Sequence, residues 1–324
     1  MLEPIPLTLL TGFLGAGKTT RLNLWLKDPA FKETLVILNE YGAVGLDHLL
    51  VEAAPGEVVL LAAGCLCCSV RGDLAAALED ILRRRDNGRI APFTNIILET
   101  TGLADPLPVL HTVLQHLYFS KRFAISAIIS VVDAVLGATT LANHAEARRQ
   151  VALADALILS KTDIADKAAR AASVAAIRAL NPGAPLLEAP RPEDLLLPRF
   201  DPSRLEGDAL EGWIDTSATP THQGAGIEAF GFTSADLISE GQLRVFREAM
   251  RVLHGPKLLR MKGLIGLKEN PEHPVVIHGV QSVQHAPVQL ECWPSRDRRS
   301  RLAFITDGVP RATIEGFWNA LVKG

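Results

Sequence analysis

Residues 5–26 read Ile5-Pro6-Leu7-Thr8-Leu9-Leu10-Thr11-Gly12-Phe13-Leu14-Gly15-Ala16-Gly17-Lys18-Thr19-Thr20-Arg21-Leu22-Asn23-Leu24-Trp25-Leu26, and they decide the architecture. The apolar run from Ile5 to Leu10 reads as a buried strand, and Arg21 to Leu26 as a helix. Between them Gly12 to Thr19 spells G-x-x-x-x-G-K-T, a phosphate-binding loop in the strand–loop–helix setting the motif needs. Gly12, Gly15, Ala16, Gly17 and Thr20 are expected to bring backbone N–H groups and a helix N-terminus to the phosphates. Lys18 would reach the β- and γ-phosphates, and the Thr19 hydroxyl would ligate Mg²⁺.

Outward from this loop, strand and helix patterns alternate. Strands are predicted at Leu7–Leu10, Thr34–Leu38, Val58–Leu61, Asn95–Leu98, Ala124–Val132 and Ala156–Leu159. Several are continuous apolar runs of the kind buried on both faces of a parallel sheet. Helical periodicity fills Ser69–Arg84, Pro106–Leu117, Ala142–Ala152 and Ile164–Leu180, so the fold class is α/β with a mostly parallel, doubly wound sheet. Prolines then crowd the stretch from Asn181 to Pro202, and Thr219–Gly226 is polar, as expected of a linker. We therefore expect a nucleotide-binding domain over residues 1–205, a linker at 206–226 and a smaller α+β domain over 227–324. That last part reads as a strand, a helix (Glu240–Leu253), strands at Lys257–Ile265, Pro274–Val283, Val288–Trp293 and Arg301–Ile305, and a final helix.

Two strand ends narrow the nucleotide. Asn95–Leu98 runs into Glu99-Thr100-Thr101-Gly102, where Glu99 would hold Mg²⁺ directly or through water and the Gly102 N–H would meet the γ-phosphate. Lys18, Glu99 and Gly102 are thus the residues expected to support hydrolysis. Ala156–Leu159 runs into Ser160-Lys161-Thr162-Asp163. A carboxylate at Asp163 can accept from both N1–H and the exocyclic amine of guanine, which adenine does not offer, while the Lys161 stem lies along the base. A helix cap before Ile164 is the competing reading of Asp163.

Three of the chain's four cysteines, Cys65, Cys67 and Cys68, fall within Gly64-Cys65-Leu66-Cys67-Cys68 on a predicted strand-to-helix turn. Adjacent cysteines do not readily meet disulfide geometry. Three thiolates on one turn can converge on Zn²⁺ or a similar borderline ion, with Co²⁺ as a second candidate, and an open fourth position suits an ion that must leave again. Burial as small hydrophobes is the alternative.

Composition agrees. A formal net charge of −3 gives no reason to expect nucleic acid or an anionic membrane as the main partner. The basic clusters Arg83–Arg85 and Arg296–Arg301 read as solvated turns. No apolar run reaches the ~18–20 residues of a membrane span, and the N-terminus lacks a signal-peptide pattern. A cytoplasmic location is expected, where clustered thiols favour metal or redox roles over disulfides.

These motifs together resemble those of the CobW-type P-loop GTPases, a group of metallochaperones. The resemblance runs through Gly12–Thr20, Asn39-Glu40-Tyr41-Gly42 with Gly45-Leu46-Asp47, Gly64–Cys68, Glu99–Pro106 and Ser160–Asp163. It continues in the second domain through Gly226–Phe230, Leu259–Gly263 and Gly279–Gln281, covering nearly the whole chain. It implies slow GTP hydrolysis, Zn²⁺ held at the C-x-C-C motif according to nucleotide state, and delivery to a client metalloprotein. GTP, GDP and that client are the expected partners of a monomer or nucleotide-dependent dimer.

The sequence departs from the family pattern at Ser160, where asparagine is usual, which predicts a less braced pocket and weaker GTP affinity. Leu38 and Ala43 replace flanking carboxylates, and a histidine-rich stretch is reduced to His222. Leu103 stands where many small GTPases place a water-orienting glutamine, leaving Glu40 or Asp105 as candidates. The second domain reads as a docking and switch-sensing module, with Arg260 and Lys262 facing a client's acidic surface. A nickel-insertion GTPase, another P-loop NTPase with structural cysteines, and a scaffold without turnover are the alternatives.

Overall fold

The computed structural model describes residues 3–41, 58–63, 70–191, 195–196 and 226–323. The chain divides into two compact units, one formed by Met1–Thr140, Ala154–Arg170 and Pro185–Phe200. The other comprises Leu141–Leu153, Ala171–Ala184 and Asp201–Gly324.

The N-terminal stretch to residue 191 holds β1 (Ile5–Thr11), α1 (Lys18–Leu26), β2 (Thr34–Tyr41), β3 (Val58–Ala63), α2 (Val70–Asp86), β4 (Asn95–Thr100) and α3 (Leu107–Gln115). There follow α4 (Phe119–Arg122), β5 (Phe123–Asp133), α5 (Gly137–Asn143), α6 (Ala145–Leu153), β6 (Ala156–Ser160), α7 (Lys167–Leu180) and β7 (Leu186–Leu187). All six predicted strands and the predicted helices are present. The strands form a parallel sheet in the order β3-β2-β4-β1-β5-β6-β7. Strands β1, β5 and β6 are buried almost throughout because their apolar residues face cover on both sides. One core layer joins Leu10, Leu22, Trp25, Val36, Ile97, Ile129 and Ile158. Each such side chain contributes about 1.5–3 kcal/mol by leaving water.

Chain order reverses around β1. The chain moves from β1 to β2 and β3 on one side, then returns past β1 to β5 and β6 on the other. Ligands of open α/β sheets sit beyond the carboxyl ends of strands at such a reversal. The sheet therefore places Thr11 (β1), Glu99 (β4), Asp133 (β5) and Ser160 (β6) along one edge.

The C-terminal stretch holds β8 (Ile227–Ser234), α8 (Glu240–His254), β9 (Leu258–Ile265), β10 (Val275–Val280), β11 (Val283–Gln284), β12 (Val288–Gln289), β13 (Ser300–Asp307) and α9 (Arg311–Lys323). Its sheet is antiparallel, ordered β11-β10-β9-β13-β8, with β12 against β10. A reciprocal cap starts α8: Gln242 N–H donates to Ser239 Oγ at 3.1 Å, and Ser239 N–H to Gln242 Oε1 at 2.8 Å. Leu243, Phe246, Ile314 and Trp318 from the two helices join Phe230, Phe232, Met261 and Phe304 of the sheet in one core.

Two predicted strands are shorter than expected. Pro274–Val283 breaks because Gln281 turns with φ 51°, its N–H donating to Leu258 O at 2.8 Å. Val288–Trp293 keeps its strand only to Gln289. Trp293 instead folds inward against Leu264 and Val276, and its indole N–H donates to Pro271 O at 2.7 Å.

Candidate nucleotide site

The loop after β1 is shaped by close backbone approach. A Cβ on Gly12 would lie 2.3 Å from Val131 O on β5, so no side chain fits there. Gly15 and Gly17 take positive φ of 71° and 92°, and Gly17 caps α1. Ala16 is buried, its N–H closing a turn onto Phe13 O at 3.1 Å, while Thr20 is exposed on the first turn of α1.

Lys18 is buried, and its ammonium donates to Gly12 O at 2.9 Å and Phe13 O at 3.4 Å. Its charge thus sits inside the loop's curve, where a phosphate's charge would be answered. One residue on, the Thr19 hydroxyl donates to Glu99 Oε1 at 2.9 Å, and Glu99 is itself buried at the end of β4. Residues 80 positions apart are thereby joined as two hard oxygen donors, the ligand type that Mg²⁺ selects. Beneath them the buried Thr100 and Thr11 hydroxyls lie 3.0 Å apart, tying β4 to β1.

Gly102 meets the same loop from the other side. A Cβ there would lie 2.5 Å from Leu14 N and 2.7 Å from Leu14 Cα, so the glycine lets the two loops close on each other. Asp105 accepts from Leu107 N–H at 3.0 Å at the start of α3, a capping contact. Leu103 is exposed and apolar.

The residues expected to meet the base follow β6. Ser160 is buried, and its hydroxyl lies 2.6 Å from Ala16 O and 3.2 Å from Val132 O, within donating reach of both. Serine therefore supplies a brace between the phosphate loop and β6 where the sequence suggested one was missing. Lys161 adopts φ 55° and sends its ammonium 2.7 Å from Asp133 Oδ2. Asp163 is exposed.

Asp133 was not singled out from sequence. Its carboxylate also accepts from Val135 N–H at 2.7 Å and Leu136 N–H at 3.3 Å. Burial works against its ionisation, yet the Lys161 ammonium and these two amides outweigh it and hold the carboxyl below its usual range. A carboxylate closing a buried apolar strand, Val131-Val132-Asp133, was the available signal.

With that geometry in place, two family matches decide kinship. Residues 6–188 match the CobW/HypB/UreG nucleotide-binding domain, and residues 227–322 match the C-terminal domain of the cobalamin synthesis protein cobW. The chain belongs to the CobW family. Among its relatives, the zinc chaperone YjiA of Escherichia coli is 40% identical over 167 residues, 52% of this chain and 52% of that protein. The zinc chaperone CobW of Pseudomonas aeruginosa is 34% identical over 253 residues, 68% of this chain and 64% of that protein. The matched segments thus span about half to two thirds of these relatives' length. The crystal structure of zinc-bound YjiA GTPase from E. coli is similar across 99% of both chains, with a TM-score of 0.76 at 26% identity.

In this CobW-family chain, Cys65, Cys67 and Cys68 lie between β3 and α2, outside the described residues. So do Gly42–Asp47, Ala43 and His222, and most of the expected linker. Among the described residues Cys292 is an exposed free cysteine, and no group of three His, Cys, Asp or Glu side chains is arranged to hold a metal. No helix among them is long and apolar enough to cross a membrane.

One expected surface residue is not at the surface. Arg260 is 2% exposed and donates to Leu153 O at 2.6 Å, while Asn181 Nδ2 donates to Val151 O at 2.8 Å. Together they cap the last carbonyls of α6 inside the C-terminal unit, where a cation also suits the helix dipole. Alternation explains the burial: Met261 faces the core of α8 and α9, and its neighbour Arg260 faces the other side. Lys262 remains half-buried.

Proposed function

We propose that this chain is a GTP-hydrolysing metallochaperone that carries Zn²⁺ at Cys65, Cys67 and Cys68 and delivers it to a client metalloprotein. The observation that carries the nucleotide half is the Thr19–Glu99 contact at 2.9 Å beside the buried Lys18. This oxygen pair fits Mg²⁺, which when bound neutralises charge on the phosphates. Lys18 exchanges the Gly12 and Phe13 carbonyls for phosphate oxygens, and the Gly102 N–H faces the γ-phosphate. Asp163 reads guanine, and Ser160 keeps the phosphate loop in register with it. Leu103 cannot orient water, so intrinsic turnover is slow.

Zinc as cargo is supported by the cysteine spacing and by relatives named as zinc chaperones. The route for coupling is the register of adjacent strands. Asn39 of β2 lies opposite Thr100 of β4, and Tyr41 of β2 lies opposite Ala63, the last residue of β3 before the cysteines. Glu99, the switch segment after β2 and the cysteine segment after β3 thus leave one edge of one sheet, and γ-phosphate contacts bias all of them.

Chelator-competition titration of Zn²⁺ with Mg²⁺·GTP, with GDP and without nucleotide tests this. About tenfold tighter binding with GTP is expected, needing ~1.4 kcal/mol of coupling, and zinc must tighten GTP equally. Cys67→Ser should lose most zinc affinity and keep GTP binding in metal-free buffer. One zinc affinity across all three conditions would sink the coupled mechanism.

A further inference from the structure

We propose that Asp133 is a positioning residue that sets guanine specificity, by claiming the Lys161 ammonium and so leaving the Asp163 carboxylate to the base. This rests on the guanine-nucleotide reading above. Asp133 closes β5 directly opposite Ser160 of β6, so one carboxylate stands between the two loops that leave these strands. It binds both. From the β6 loop it takes Lys161 Nζ at 2.7 Å, and from its own loop the N–H groups of Val135 and Leu136. Ala134 N–H donates across to Ser160 O at 2.9 Å, joining the loops a second time.

Two features make the ion pair more than a surface contact. Lys161 holds φ 55°, a left-handed conformation that a residue with a Cβ seldom adopts and that persists where its surroundings impose it. The Asp133 side chain is 10% exposed against 37% for Lys161, so the anchor is the buried partner and the lysine reaches inward to it. Lys161 and Asp163 are two residues apart on one short loop, and Asp163 is exposed. An ammonium released from Asp133 would have Asp163 as an alternative partner, and an ion-paired carboxylate accepts guanine's two N–H donors less well. The Asp133 turn also holds out Val135 and Leu136, which are 37% and 57% exposed, as is Ile164 of the facing loop at 70%. Apolar side chains on both loops suit the two faces of a purine ring.

The test is titration of the full chain with GDP and with ADP in the presence of Mg²⁺, comparing wild type, Asp133→Asn, Lys161→Met and the double variant. Asparagine keeps an oxygen for the Val135 and Leu136 amides and removes only the charge. Asp133→Asn should weaken GDP about tenfold, ~1.4 kcal/mol, and ADP less than twofold. The double variant should regain the preference lost in Asp133→Asn, because no ammonium is left to engage Asp163. Lys161→Met removes the ammonium outright and should keep the wild-type GDP-to-ADP preference, an independent reading if Asp133→Asn does not fold. Wild-type preference in Asp133→Asn, or preference lost in Lys161→Met, with preference also lost in Asp163→Ala, would overturn the role of Asp133 and leave guanine recognition standing. A wild-type chain that binds GDP and ADP equally would overturn the guanine reading, and this proposal with it.

Discussion

Gly102→Ala adds a single methyl group and should cost far more than its size. That methyl would sit 2.5 Å from Leu14 N and 2.7 Å from Leu14 Cα. Both are main-chain atoms of the phosphate loop and cannot rotate away. Ordinary van der Waals contact starts near 3.4 Å, so one loop must retreat by about an ångström. The phosphate loop is the less able to yield, because Gly12 is packed on Val131 O and Ala16 O is held by Ser160. The 101–104 loop must therefore move, taking the Gly102 N–H away from the position proposed for the γ-phosphate. A misplacement of this order costs about 100-fold in rate, ~2.7 kcal/mol. Steady-state GTP hydrolysis should show kcat/KM reduced by that factor, with GDP binding changed much less. Gly316→Ala is the control: nothing lies within 4 Å of its Cβ, and alanine favours the α9 helix. If Gly102→Ala hydrolyses GTP like wild type, the close approach has no bearing on the γ-phosphate site.

Ser160→Ala removes the donor to Ala16 O and should lower GDP affinity about fivefold to tenfold, matching the ~1–1.5 kcal/mol net value of one hydrogen bond. Unchanged affinity by titration would leave Ser160 a packing residue. In the C-terminal unit, His278 is fully enclosed, and burial first, then His285, Arg260 and Lys262, hold it well below its ordinary range. The folded chain keeps it neutral while the unfolded chain protonates near pH 6.5, so its contribution is complete above that pH and declines below it. The decline is about 1.36 kcal/mol per pH unit until the folded pKa is reached. Urea midpoints followed by Trp293 and Trp318 fluorescence should fall between pH 6.5 and 5, and fall less in His278→Gln; equal slopes would exclude His278 as the source.

The parallel sheet and the phosphate loop were legible because each rests on local pattern. Ile5–Leu10 and Ala156–Leu159 are apolar runs too short for anything but buried strands, and glycine spacing at 12 to 17 reports backbone shape directly. Contacts set by topology were not legible. Asp133 matters because β5 lies beside β6, and Ser160 braces Ala16 across 144 positions of chain. Arg260 reads as a surface charge in a list of residues, since nothing local says that the carbonyls of α6 lie above its strand. The break at Gln281 was hidden for another reason. A left-handed turn at a residue other than glycine carries no compositional mark.

The division of the chain into units has a consequence for engineering. The path passes from one unit to the other after Thr140, Leu153, Arg170, Ala184 and Phe200. Neither is a contiguous cassette. A deletion of residues 227–324 leaves α6, a C-terminal-unit helix, inserted between β5 and β6 without the Arg260 that caps it. Loss of metal transfer in such a truncation would not separate client docking from misfolding. Grafting between relatives faces the same obstacle, and a chimera joined at one crossover should be less stable than one that exchanges residues 141–153 and 171–184 together with the C-terminal stretch.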